Sequence, residues 1–216
     1  VLMLFLAACE SGCNNVEPTK SKPIENNDIV VEPAIDSLDG FVTPEMEANI
    51  RFTLNEYLQA QSDGDFERLM NFAYPGIFTS EVEKQKQIDL MSGYHESGFQ
   101  NKLIEHKIEF ISPIVELDSN KIVLVKFDAK VDVVFTDKFV GKPENYGNMV
   151  KEKYGQNVVY DSLNTTYHAE GIQIMYAVTP HDSISFTWLA EGFARAASMA
   201  DFITYDDLVK LRVYAQ

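Results

Sequence analysis

The stretch KIVLVKFDAKVDVVFT, residues 121–136, decides the fold. Val123, Val125, Phe127, Ala129, Val131, Val133 and Phe135 fall on one face of an extended chain, and Lys126, Asp128, Lys130 and Asp132 fall on the other. A period of two over this length marks an antiparallel strand with one face buried and one in water. At ~3.3 Å per residue the strand runs about 50 Å. A small domain cannot hold that length flat, so the sheet is expected to coil and to carry bulges.

The neighbouring segments supply partners for it. Residues 102–117 read as a long strand, with Pro113 marking an edge or a bulge. Residues 117–120 read as a hairpin connection, residues 158–160 and 165–179 as further strands, and residues 161–164 as the turn between them. Another turn is expected at residues 179–183, after which Ile184, Phe186 and Trp188 alternate inward on a last strand. Residues 143–155 are polar and short-helical in pattern and are expected to leave the sheet as an excursion. Residues 191–203 carry no pattern, and Thr204 is expected to cap a final helix containing Leu208 and Leu211.

Helices come before the strands. Thr43 can cap a helix that opens with Pro44 and places Glu45 and Glu47 where the helix dipole favours anions. Met46, Ile50, Leu54, Tyr57 and Leu58 recur at helical spacing, and Asp63-Gly64-Asp65 stops the run. A short helix over Phe66–Phe72 follows, capped by Asp65 and broken at Pro75-Gly76. Ser80 with Glu83 forms a capping box for a third helix reaching about Tyr94.

The amino-terminal end has a different character. An apolar run ends in Leu6-Ala7-Ala8-Cys9 and a polar, acidic stretch follows at once. This resembles the lipobox of a bacterial lipoprotein signal peptide. The resemblance implies removal of residues 1–8, acylation of Cys9, and a lipid-anchored place in the bacterial cell envelope, on the periplasmic or surface side of the outer membrane. The apolar run is far shorter than the ~20 residues that span a bilayer. Residues 9–42 then read as a flexible tether, broken by Pro18, Pro23, Pro33 and Gly40, although Ile29-Val30-Val31 could dock as a short strand. Residues 43–216 form one α+β domain.

Composition narrows the partners. The formal net charge of −15 argues against nucleic acid, whose phosphates need clustered Lys and Arg, and against docking on anionic lipid. The two cysteines, Cys9 and Cys13, both precede the domain, so the domain has neither a disulfide nor a thiolate metal site. No Gly-rich phosphate loop, nucleophile-elbow serine or Walker spacing occurs, and no cofactor is expected.

Helices followed by a strongly curved antiparallel sheet resemble the nuclear transport factor 2-like superfamily. The local carrier is residues 55–70, NEYLQAQSDGDFERLM, where a helix ends in an acidic-Gly-Asp turn and a Phe-x-x-Leu helix begins. The resemblance covers roughly residues 43–190. It implies a cone, with the sheet wrapped around the first helix and a pocket at its open end. That superfamily contains isomerases and dehydratases as well as non-catalytic binding and dimerising domains, so the fold leaves function open.

Candidate chemistry is sparse. His106 shares its strand parity with Ile104, Ile108 and Phe110, so an imidazole is expected among inward apolar residues, as a pocket base or as a satisfied core side chain. His168 and Glu170 share the parity of Ile172, Ile174, Tyr176 and Val178 and could join His106 at a pocket mouth. Asp128 and Asp132 alternate with lysines on what reads as a solvated face. His95 reads as a surface cap, and His181 follows Pro180 in an exposed turn. Tyr57, Ile104, His106, Phe127, Val131 and Trp188 are the expected pocket lining, and no metal site is expected. The expectation is an envelope lipoprotein binding a small apolar ligand or a protein partner without catalysis. The alternatives are an isomerase- or dehydratase-like enzyme using His106 with His168, Glu170 or a Tyr, and a homodimer paired through the apolar ends of the outer sheet face, Ile122, Leu124 and Val134.

Overall fold

The computed structural model describes residues 40–117, 119–190, 209 and 211–213. The expected leader, Cys9, Cys13, most of the expected tether with Ile29-Val30-Val31, and the expected helix cap Thr204 with Leu208 lie outside them. The described chain is α+β. Helices pack against a strongly curled antiparallel sheet that forms a half-barrel, the cone-like architecture of nuclear transport factor 2-like folds.

Helix α1 spans Pro44–Asp63. Its first turn is satisfied by Thr43, whose hydroxyl accepts from the Met46 N–H at 3.2 Å. It ends at Gly64, which takes φ +73° with the His95 ring packed against the place where a Cβ would stand. Helix α2, Phe66–Phe72, starts from Asp65, whose carboxylate accepts from the Arg68 N–H at 3.0 Å. Helix α3, Glu81–Glu96, starts from Ser80. Its capping box is shifted, because the Glu83 carboxylate accepts from the N–H and hydroxyl of Thr79, at 2.8 and 2.6 Å.

The strands are β1 Phe99–Ile111, β2 Val115–Glu116, β3 Asn120–Phe135, β4 Asn157–Asp161, β5 Thr166–Pro180 and β6 Thr187–Ala190. Their order is β1-β3-β5-β4, with β2 added beside β3 and β6 beside β5. The inner face of β3, Val123 through Phe135, is buried along its whole length beneath the helices. The alternation that defines this strand therefore serves one core.

Two bulges interrupt β1 against β3, between Leu103 and Glu105 and between Ile108 and Phe110. The first pushes Ile104 outward, where it is 60% exposed, so it does not belong to the inward set with His106. The second turns Phe110 to the outer face. Strand β1 stops before Pro113, where Ser112 still pairs with Leu124: its N–H donates to the Leu124 carbonyl and its hydroxyl accepts from the Leu124 N–H, both at 2.9 Å.

Residues 143–155 leave the sheet as a short helical excursion, as expected, but the excursion packs back onto the sheet. A 3₁₀ turn, Pro143–Tyr146, and helix α4, Gly147–Tyr154, fold back over β5 and β4. Val150 and Tyr154, four residues apart on one helical face, are 0% and 5% exposed. Polar neighbours hid that short stripe. The Tyr167 hydroxyl donates to the Pro143 carbonyl at 2.9 Å, which ties the segment down.

The outer face carries a second apolar cluster of Val115, Ile122, Leu124, Tyr176, Val178 and Leu189, completed by Leu211 at 0% exposure. Ile122 and Leu124 are thus covered within the chain and do not offer an apolar end for a second copy. Ile184 also departs from expectation. It is 42% exposed, because β6 begins only at Thr187 and the alternation of Phe186 and Trp188 does not reach back to it. Among the described residues no helix is long and apolar enough to cross a membrane.

Candidate functional site

Three hydrogen bonds fix helix α1 across the cup. The Phe186 N–H donates to Asn49 Oδ1 at 3.0 Å, Trp188 Nε1 to Thr53 Oγ1 at 3.1 Å, and the Leu103 N–H to Ser62 Oγ at 3.0 Å. The helix therefore runs from β6 at its start to β1 at its end. Tyr57 lies between the second and third anchors, buried, and burial pushes its hydroxyl pKa up.

Beneath that crossing, one inner row of the sheet consists of His106 on β1, Ala129 on β3 and Gly171 on β5. Adjacent strands are about 4.8 Å apart. Pairing of β4 with β5 stops at Glu170, so among the described residues no strand flanks Gly171 on the side away from β3. The place is taken by the carboxyl end of α4, whose Tyr154 carbonyl oxygen occupies the position of a Cβ on Gly171. Gln173 Nε2 donates to the neighbouring Lys153 carbonyl at 3.2 Å. The flanking rows are Ile108–Phe127–Gln173 and Leu103–Val131–Ala169.

Most of the inner face is filled. Phe127, Val131 and Trp188 are buried in the core with Tyr57. Burial loosens along β1, where Leu103, His106, Ile108 and Ile111 are half-buried, as is Leu58 of α1. The candidate site is this open margin between β1 and α1.

His106 stands edge-on to Phe127, with ring centroids 6.5 Å apart. Partial burial lowers its pKa from the ordinary 6.5, so the ring is neutral at pH 7. Its imidazole makes no hydrogen bond among the described residues. A general base is held by an orienting partner, and no such partner is present among those residues.

His168 and Glu170 lie on the other side of the sheet. They oppose Asp132 and Lys130 on the outer face, and His168 Nδ1 stands 2.7 Å from Asp132 Oδ1. The shared parity with Ile172 through Val178 is present, but the face is the outer one. Residues 175–178 of β5 are buried on both faces, so their apolar character could not tell the two apart. His181 is not a loose turn residue. Its Nε2 meets the Leu117 carbonyl at 2.7 Å and its Nδ1 the Glu116 carboxylate at 2.8 Å, stapling the β5–β6 turn to the β2–β3 hairpin.

One inner residue went unread in the sequence. Asn101 lies opposite Val133, is 8% exposed, and its Oδ1 has no hydrogen-bond partner among the described residues. A buried acceptor without a partner costs about 1–3 kcal/mol. The phase Phe99, Asn101, Leu103 would have shown it, had the strand been started at Phe99. Among the described residues no group of three or more His, Cys, Asp or Glu side chains is placed to hold a metal ion. Comparison with protein-family models finds no match to the chain, and comparison with curated proteins finds none.

Proposed function

We propose that the chain is an envelope lipoprotein, acylated at Cys9 and related to the nuclear transport factor 2-like superfamily. In this reading its domain binds a small, mainly apolar ligand at the β1 margin without catalysis. One observation carries the binding role. His106 is half-buried among Leu103, Ile108 and Phe127 and makes no hydrogen bond among the described residues. A neutral ring in that setting offers one donor and one acceptor to a ligand whose apolar body covers the margin. An isomerase- or dehydratase-like role is less well supported, because His168 and Glu170 lie across the sheet from His106. A scaffold paired through the outer face is less well supported too, because Leu211 packs with Ile122 and Leu124.

The test is fluorescence titration of the full chain with Nile red, an uncharged apolar dye. Saturable binding with one site is expected, weakened about tenfold in Ile108→Lys and in His106→Trp. Absence of saturable binding, or affinity unchanged in both variants, would overturn the role. Intact mass of the membrane-extracted protein tests the anchor, and a Cys9 carrying no lipid would remove it.

A further inference from the structure

We propose that the end of the half-barrel opposite Gly40 docks on a zwitterionic lipid bilayer through two apolar loop tips, Val140 and Leu163. This contact is separate from the β1 margin.

Both tips leave the same end of the sheet. Val134 and Thr166 are the last residues paired there between β3 and β5. Beyond them the Phe135 N–H donates to the Thr165 carbonyl at 3.0 Å, and the Thr165 hydroxyl donates to the Phe135 carbonyl. Leu163 stands two residues before Thr165 in the β4–β5 turn, and Val140 five residues after Phe135 in the loop that leaves β3. They are 93% and 96% exposed.

Each tip is held out by a braced loop. The Asp161 carboxylate accepts from the N–H groups of Leu163 and Asn164 at 2.9 and 3.3 Å, and Thr165 holds φ +48°, a strained backbone for a β-branched residue. On the other loop the Phe139 ring packs on Phe135 and Tyr146, with centroids 4.7 and 5.5 Å away, and stands where a Cβ on Gly141 would be. Loops fixed before contact lose little entropy on binding.

Charge selects the occupant. Asp137, Lys138, Lys142 and Glu144 flank Val140, all exposed and two of each sign. Neither lysine makes an ion pair among the described residues. A zwitterionic head-group layer offers phosphate to the lysines and ammonium to the acids, while the acyl boundary beneath takes Val140 and Leu163. An anionic surface would instead repel a chain of formal net charge −15. Gly40, where residues 1–39 join, pairs with Ile114 at the far end, roughly 40–50 Å away along β3. Residues 10–39 extend to at most ~100 Å. A lipid on Cys9 and the two tips can therefore share one bilayer, with the domain lying along it, although the docking does not require that lipid.

The experiment mixes the full chain, carrying Cys9→Ser to prevent acylation, with sucrose-loaded vesicles of equal phosphatidylcholine and phosphatidylethanolamine. Sedimentation reads the partition coefficient. Val140→Ser with Leu163→Ser is expected to lower it at least tenfold at an unchanged thermal midpoint. Phe41→Ser, equally exposed beside Gly40, should leave it within twofold. The apolar run before Cys9 is common to all variants, so differences report the tips. Replacing half the lipid by phosphatidylglycerol should weaken binding at low salt. The added emission of Val140→Trp should shift to the blue and be quenched by brominated phosphatidylcholine. Unchanged partition in the paired variant, an equal loss in Phe41→Ser, or a requirement for phosphatidylglycerol overturns the proposal. So does absence of vesicle binding, which would turn the tips towards a protein partner.

Discussion

Replacement of Gly171 by alanine tests how the inner row is closed. In a strand interior, Gly→Ala ordinarily stabilises by about 0.5–1 kcal/mol, because glycine loses more backbone entropy on folding. At residue 171 the added carbon would land on the Tyr154 carbonyl oxygen. The obstacle is backbone and cannot rotate aside, so α4 must move outward by about an ångström. Burial of Val150 and Tyr154 resists that movement with about 1.5–3 kcal/mol per side chain. The Gln173–Lys153 and Tyr167–Pro143 hydrogen bonds each add about 0.5–1.5 kcal/mol. Full detachment sets the ceiling, and a shift with partial repacking costs about 1–3 kcal/mol. For a domain of this size the midpoint should fall by about 2–4 °C per kcal/mol, or roughly 2–12 °C for a loss of about 1–3 kcal/mol. The assay is calorimetry of Gly171→Ala beside Gly93→Ala. Gly93 lies within α3 with nothing near its missing Cβ, so its replacement should raise the midpoint. Parallel behaviour of the two variants would refute the seating of α4 on β5.

Three further outcomes follow from the same packing. Because burial depresses the His106 pKa below 6.5, the unfolded chain binds more protons than the folded one between the two values. The stability contributed by this group is complete above about pH 6.5 and is lost as pH falls through the folded pKa. NMR titration should give a midpoint below 6.5, and His106→Phe should flatten the decline in stability between pH 7 and 5; a midpoint at or above 6.5 contradicts the burial argument. Leu211→Ala should cost about 2–5 kcal/mol and promote self-association in sedimentation, since it opens the outer cluster over Ile122 and Leu124; wild-type stability with an unchanged sedimentation profile would show that Leu211 covers nothing. Trp188→Phe should cost about 1–3 kcal/mol in denaturant unfolding, because the bond to Thr53 Oγ1 is lost inside the core; a neutral result would mean that this bond does not anchor α1.

Elements with local determinants were legible in the sequence. Thr43, Asp65 and Ser80 cap their helices through their own side chains, and Gly64 ends α1 by a conformation that glycine reaches without strain. Strand β3 was legible because its inner face serves a single core along its whole length. What escaped depends on contacts between distant segments. The seat of α4 needs Gly171, which lies outside the 143–155 segment itself. The inner and outer sides of β5 cannot be separated locally, because Tyr176 and Val178 are buried in the outer cluster with Leu189 and Leu211 while Met175 and Ala177 are buried in the main core. The lone acceptor of Asn101 is a property of its surroundings, and residue type alone does not reveal it.

The bulges of β1 explain why a histidine faces the margin at all. Strict alternation from Phe99 would carry Asn101 and Leu103 inward and then bury Glu105, Lys107 and Glu109 in turn. Each buried ion without a partner would cost several kcal/mol, more than one disrupted ladder position. Inserting Ile104 as the extra residue resets the phase: Glu105 turns out to meet Lys130, and His106 and Ile108 turn in towards Ala129 and Phe127. The amide of Leu103 at the bulge is not stranded, since Ser62 at the end of α1 accepts from it. A second reset after Ile108 puts Phe110 outward with the outer cluster and returns Ile111 to the inner face. The sorting of charge between the two faces, on which the uncharged character of the margin depends, is therefore produced by two single-residue insertions. They answer to the charges of β1 itself, so the same residues that forbid a regular strand expose Ile104 and leave His106 half-buried beside the core.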